Sequence, residues 1–442
     1  MFQENEKESE SFQFMQEKIK ERPINKKKLL RRMIITAAMA LIFGLIACFT
    51  FFWMEPIISN WLYPEEEPEI VRFPEEEEET MPEDIIQTEE EAHQAEKEEN
   101  AQMQPTDSTI TVYETVGLTV DDYVNLYGEL SVIAQEAQRF MVNVTGVTSD
   151  VNWFNDIYEN KAQTSGVIVA DNGVELLILA NERAIGKQQN LLITFHDGSV
   201  IAAEKKQVDA NTGLCILGVD LDLIPEETMR DLSIATLGSS SVSTLSAEPV
   251  IAIGSHAGTS GSVSYGMITS NAAVLQMKDV NYRLLTTDMY GSVNSTGVLI
   301  NLKGQVLGII DNSYNEKGLE NQISAIGITE LKRMIEVLSN EKTRAYLGIY
   351  GVDITAALSE SLNMPRGAYV ESFEMGSPAM ICGIQASDII TGVDDIVVNS
   401  MADLTSALGR YEPEDVVTIS LQRVIPNGYR EMQVEVTLGS LE

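Results

Sequence analysis

The sequence predicts a mainly β protein, a barrel or sandwich, held behind one apolar span. Three observations predict it. Short β-rich runs punctuated by turn residues follow one another from about Met141 onward. One uncharged run, Met33 to Met54, is long enough to cross a hydrocarbon core of about 30 Å as a helix. Between the two lies an acidic stretch with no apolar period. At 442 residues the chain is too long for one core, so two or three folded units with linkers are expected.

The apolar run is preceded by Lys26, Lys27, Lys28, Arg31 and Arg32 and followed by Glu55. By the positive-inside rule, residues 1–32 form a cytoplasmic tail, 33–54 a single transmembrane helix, and everything later lies outside the cell membrane. Trp53 and Trp61 suit the interfacial region. A cleaved signal peptide fits less well, because the apolar run and the segment before it are too long and no small-residue cleavage site ends it.

Residues 55–119 read as a disordered stalk. The formal net charge of -37 is concentrated here, in Glu65-Glu66-Glu67 and in the run Glu75 to Glu79. Such a segment buries too little surface to offset chain entropy, and like charges extend it. The acidic excess argues against nucleic acid as a partner. The three cysteines, Cys48, Cys215 and Cys382, fall in three separate units, which offers neither a disulfide framework nor a metal site. No cofactor and no metal are expected.

A first folded unit is expected over 120–340. Tyr123 to Phe140 has apolar residues at helical spacing, and Thr329 to Leu338 forms a second helix. Strands are expected at Met141–Val147, Gly166–Val169, Leu176–Leu179, Leu191–Phe195, Leu214–Val219, Val250–Ile253, Ala273–Leu275, Val298–Ile300 and Val306–Ile310. Turns at Asp171-Asn172-Gly173, His196-Asp197-Gly198 and Lys303-Gly304 separate them.

Several motifs go further. They are Ser165-Gly166-Val167-Ile168, Ile178-Leu179-Ala180-Asn181, Val250 to Ser255 with Ser262 to Ile268, Thr287-Asp288, and Asn294-Ser295-Thr296-Gly297-Val298-Leu299-Ile300-Asn301. In this order and spacing they resemble the HtrA family of serine proteases. The resemblance covers about Leu130 to the C-terminus and implies a trypsin-like double β-barrel followed by a PDZ domain over 341–442.

Residue by residue, the resemblance puts Ser295 at the nucleophile position, Arg183 at that of the histidine base, and Gly213 at that of the aspartate. An arginine guanidinium stays protonated and cannot serve as a general base near neutral pH. Val293 stands at an oxyanion-hole position the family fills with glycine, and a β-branched side chain resists φ > 0. Thr296 replaces the following glycine and Val298 a proline. Loss of the base alone costs about a factor of a million in turnover in a well-studied serine protease. Of the three histidines, His93 falls in the stalk, His196 in a turn and His256 in a loop before Ser295; only His256 is a candidate substitute base.

Tyr346-Leu347-Gly348-Ile349 resembles the carboxylate-binding loop of the family's PDZ domain. Leu404 and Leu408, on a helix over Asp403–Leu408, would line the groove with Leu347 and Ile349. Asp395 and Glu414 take places usually held by glycine. The expectation is a membrane-anchored pseudoprotease, an extracytoplasmic binding, scaffold or quality-control protein recognising protein C-termini or extended segments by β-augmentation. The resemblance also implies a homotrimer, or a mixed assembly with an active paralogue. The alternative is an active endopeptidase using Ser295 with a non-standard base.

Overall fold

The computed structural model describes residues 31, 33–46, 49–50, 54, 68–74, 118–151, 157–186, 190–241, 243–426 and 428–441. Residues 1–30 and 32 of the expected cytoplasmic tail, Cys48, Trp53, Trp61, His93 and most of the expected stalk lie outside these residues. Residues 33–46 are helical, but no helix among the described residues is long and apolar enough to cross a membrane. The chain divides at Glu67 into two units, and everything below concerns the second, Pro68–Glu442.

The expected helix is Val120–Gln138 (α1), opened by a capping box in which Thr119 and Asp122 exchange hydrogen bonds. Six strands follow: β1 (Met141–Val151), β2 (Ile157–Asp171), β3 (Glu175–Asn181), β4 (Asn190–Thr194), β5 (Val200–Val208) and β6 (Leu214–Asp220). They close into a barrel in the order β1-β2-β3-β6-β5-β4. A second barrel repeats the winding as β7-β8-β9-β12-β11-β10. Its strands are β7 (Pro249–Gly254), β8 (Ser262–Met277), β9 (Val280–Tyr290), β10 (Thr296–Ile300), β11 (Val306–Asp311) and β12 (Gln322–Gly327). β3 and β6 read as almost unbroken apolar runs because Leu176 to Ala180 and Leu214 to Val219 are buried on both faces. β5, with Glu204-Lys205-Lys206, escapes a periodicity reading because much of it faces solvent.

The second helix, Ile328–Ser339 (α2), packs on β5, β6, β9 and β11 through Leu331, Met334, Ile335 and Leu338. Asn340 at its end holds a segment expected to be stalk. Val71 N–H donates to Asn340 Oδ1 at 3.0 Å, and Asn340 Nδ2 donates back to Val71 O at 2.9 Å. Residues 68–74 are therefore seated on the barrel domain. Val71 is buried and Phe73 packs on the core, which gives this short apolar piece the burial its acidic flanks lack.

The C-terminal domain is a sheet ordered β14-β15-β16-β18-β19, with β17 (Ile396–Val397) on β16 and a separate β13–β20 pair. The strands are β13 (Arg344–Tyr346), β14 (Ile349–Ile354), β15 (Gly367–Phe373), β16 (Ile389–Val393), β18 (Val416–Ile425), β19 (Gly428–Thr437) and β20 (Gly439–Leu441). Its groove helix, Met401–Leu408 (α3), is capped by Ser400. Glu414 has φ +73°, in keeping with a glycine position. In the other turn, the left-handed residue is Asp394 (φ +49°), one before the expected Asp395. Aspartate tolerates this conformation, and Asp394 Oδ1 accepts from Thr418 N–H at 2.7 Å.

Candidate functional site

Ser295 closes the loop Gly291–Asn294 that joins β9 to β10. The loop is tight: a Cβ on Gly291 would lie 2.4 Å from His256 O, so only glycine fits. Ser292 N–H donates to His256 O at 2.7 Å, and Asn312 Nδ2 to Ser292 O at 3.0 Å. Ser295 is buried, and its Oγ lies 2.6 Å from Ser292 O and 2.9 Å from His256 O. Its proton is held between two carbonyl acceptors, neither of which can take it as a base would.

Val293, expected at an oxyanion-hole position, lies in the same loop. The Ser295 N–H donates to Ser292 O at 3.2 Å, inside its own loop. Val293 is exposed and has no positive φ. The carbonyl of Ser292 thus gathers the hydroxyl and amide of Ser295 and the amide of Asn312.

Arg183 lies in the short helix Glu182–Ile185, its N–H accepted by the Asn181 side chain at 3.0 Å. Its guanidinium donates to Tyr314 OH (3.1 Å) and Asn211 O (3.2 Å), 5.6 Å from the Tyr314 ring centre. It runs over Gly213, which has φ +74°. A Cβ on Gly213 would stand 2.7 Å from Arg183 Nε and 3.0 Å from its Cγ. The structure thus brings Arg183 and Gly213 together, while Ser295 is bonded to a different set of groups.

His256, the candidate substitute base, is buried. Its contact with Ser295 is through its main-chain carbonyl, whereas its ring Nε2 pairs with Ser264 Oγ at 2.8 Å. Burial pushes its pKa below the usual histidine range. Burial likewise pushes the Cys215 thiol up to about 12, which suits an inert filler.

Of the four loop residues Tyr346, Leu347, Gly348 and Ile349, Leu347 and Ile349 are buried in one core with Leu404 and Leu408. The loop amides are already engaged. Asp279, at the tip of the β8–β9 hairpin, directs its carboxylate into the loop. Oδ2 accepts from Leu347 N–H at 2.7 Å and Gly348 N–H at 2.9 Å; Oδ1 accepts from Gly348 N–H at 3.0 Å and Ile349 N–H at 2.9 Å. Burial pushes this carboxyl above the usual range, against the pull of the three amides and Arg344. Sequence reasoning missed Asp279: its only signal is a turn-forming residue between two strands.

A trypsin-like peptidase domain model matches residues 164–309, and a PDZ domain model matches residues 339–438. A DegP-like periplasmic serine endoprotease of Halomonas elongata is 29% identical over 287 residues, 64% of this chain and 57% of that protein. The chain therefore spans little over half of that relative's length. The serine protease Do-like HtrA of Lactococcus lactis subsp. cremoris is 27% identical over 313 residues, covering 65% of this chain and 74% of that protein. Among solved structures, the HtrA-type protease AlgW with a decapeptide superposes with a TM-score of 0.50 at 19% identity, over 70% of this chain and 98% of its own. At that identity the likeness speaks for the fold.

Proposed function

We propose that this chain, which belongs to the HtrA family of trypsin-like proteases carrying a PDZ domain, is a non-catalytic member: a membrane-anchored binding protein that recognises protein C-termini or extended segments outside the membrane. One observation carries the reading. The Ser295 hydroxyl donates to two main-chain carbonyls, and the positions that would supply a base and its orienting acid hold Arg183 and Gly213. A serine is a competent nucleophile only beside a group that accepts its proton. The retained PDZ fold, with a carboxylate-binding loop of three converging amides, supports a binding role.

The anchor rests on the apolar run Met33 to Met54 and its basic flank. Self-assembly is favoured by the face of α1 on which Val120, Tyr123 and Val124 are exposed together.

The test is a paired assay on the chain and a Ser295→Ala variant, offering unfolded casein and a fluorophosphonate probe. The expected result is neither cleavage nor labelling in either protein. Cleavage that vanishes in Ser295→Ala would overturn the proposal in favour of an active endopeptidase with a non-standard base. Protease shaving of intact cells tests the topology: digestion of the part after Met54 is expected, and its protection would sink the anchor model.

A further inference from the structure

The carboxylate-binding loop is filled by the chain itself. Three backbone amides converging on one carboxylate is the arrangement by which such a loop captures a free C-terminus. Here the carboxylate is the side chain of Asp279, contributed by the second barrel. The mimicry extends beyond the carboxylate. β14 is the terminal strand of its sheet, so one edge is open for an added strand. Asp279 N–H donates to Ile349 O at 2.9 Å, and Asn281 Nδ2 donates to Gly351 O at 3.1 Å. These carbonyls are two residues apart on the same edge, the spacing an added strand would use. From the other wall, Thr405 Oγ1 of α3 donates to Asp279 O at 2.6 Å. The hairpin tip therefore lies between β14 and the groove helix. Lys278 Nζ pairs with Glu374 at 2.9 Å, and Asn211 Nδ2 holds Lys278 O at 3.1 Å, so the tip is tied to both domains.

We propose that the hairpin Lys278–Asn281 is a resident pseudo-ligand of the PDZ groove, and that polypeptides bearing a free C-terminal carboxylate bind by displacing Asp279 from the Leu347–Ile349 amides. The inference rests on the peptide-binding reading above. It adds that the groove is self-occupied in the resting chain and that its ligands compete with a tethered carboxylate. The backbone at Asp279 suits a part that must leave. Its φ of +59° belongs to a hairpin tip, where the main chain keeps its turn without the side chain's bonds.

Two substitutions isolate the carboxylate. Asp279→Gly removes it at a φ glycine adopts freely. Asp279→Asn keeps the shape but turns an NH2 donor toward amides that themselves donate. Both are made in the full-length chain in detergent, with thermal unfolding checking that each folds. Hydrogen exchange over residues 346–351 is measured first. Binding is then measured with a pool of fluorescein-labelled decapeptides randomised at the last three apolar positions, prepared as free carboxylates and as C-terminal amides.

The expected result is faster exchange at the three amides in both variants. Asp279→Gly should bind the carboxylate pool at least tenfold more tightly than the unaltered chain does, about 1.4 kcal/mol. A tenfold gain would mean that the loop is free about a tenth of the time in the unaltered chain. The amide pool should bind neither. Unchanged exchange in both variants would overturn the inference. Equal affinity of the unaltered chain and Asp279→Gly for the carboxylate pool would also overturn it, while leaving the binding role intact. Binding by neither protein, with the amides freed, would remove the binding role and reduce Asp279 to a clamp between domains.

Discussion

The Arg183 side chain occupies the space that a side chain on Gly213 would need. An added Cβ at residue 213 would fall 2.7 Å from Arg183 Nε, closer than real Cβ contacts come. The two residues are thus one packing solution: the missing side chain at 213 makes room for the long cation, and the cation closes the gap.

This coupling is measurable. Gly213→Asp alone should destabilise by about 1–3 kcal/mol through the collision with Arg183, since aspartate itself tolerates the left-handed φ. Pairing it with Arg183→His should recover part of that loss, because the collision goes with the arginine. A double-mutant cycle by denaturant unfolding should therefore show a coupling of about 0.5 kcal/mol or more. Additive effects would mean that the two positions relax independently.

At Ser295 the hydroxyl works as a structural donor. Ser295→Ala leaves Ser292 O and His256 O without that proton, in a site where Ser295 is buried. Both carbonyls keep another donor, so a loss of about 0.5–1.5 kcal/mol of unfolding free energy is expected. A serine kept free for chemistry would show little or no change.

His256 sets a pH dependence. Its folded pKa is depressed by burial below the ordinary 6.5, while the unfolded chain titrates near that value. As pH falls below about 6.5, the unfolded state takes up the proton first, so the folded state loses stability progressively toward the folded pKa. Between pH 7 and 5 the unaltered chain should lose more stability than His256→Gln, which cannot titrate. Parallel pH profiles for the two proteins would count against this account.

Arg344 links the domains. Its NH1 lies 2.7 Å from the Oδ1 of Asp209, whose side chain is fully buried and also accepts from the N–H and Oγ1 of Thr212. Arg344→Met strands a buried carboxylate and should cost about 3–5 kcal/mol. Adding Asp209→Asn should return part of it, since the stranded charge is gone. A thermal melt that is unmoved by Arg344→Met would show that the pair contributes nothing net.

The strand–turn pattern made the β architecture legible, and the ordered motifs from Ser165 to Asn301, with Tyr346 to Ile349, made the barrels and the following domain legible. That residue 183 cannot serve as a general base was also a matter of sequence, because a guanidinium cannot accept a proton whatever its surroundings. Solvent-facing β5 was not legible, since Glu204-Lys205-Lys206 carries no alternation that marks a buried face. Nor was the docking of residues 68–74, where a single buried valine within an acidic stretch meets an asparagine at the end of α2, 269 residues further on.

The sequence by itself determined which residue types stand at the positions singled out by the resemblance: a serine at 295, an arginine at 183, a glycine at 213, and a loop at 346–349. Only the tertiary structure decided what those groups do. Ser295 points its proton at carbonyls of Ser292 and His256, Arg183 fills the gap at Gly213, and Asp279 lies in a loop about seventy residues further along the chain. The physical reason is common to all three. A residue's identity fixes its proton affinity and hydrogen-bonding capacity, but its partner is chosen by which strands the fold sets side by side, and sequence periodicity carries no record of such distant pairings.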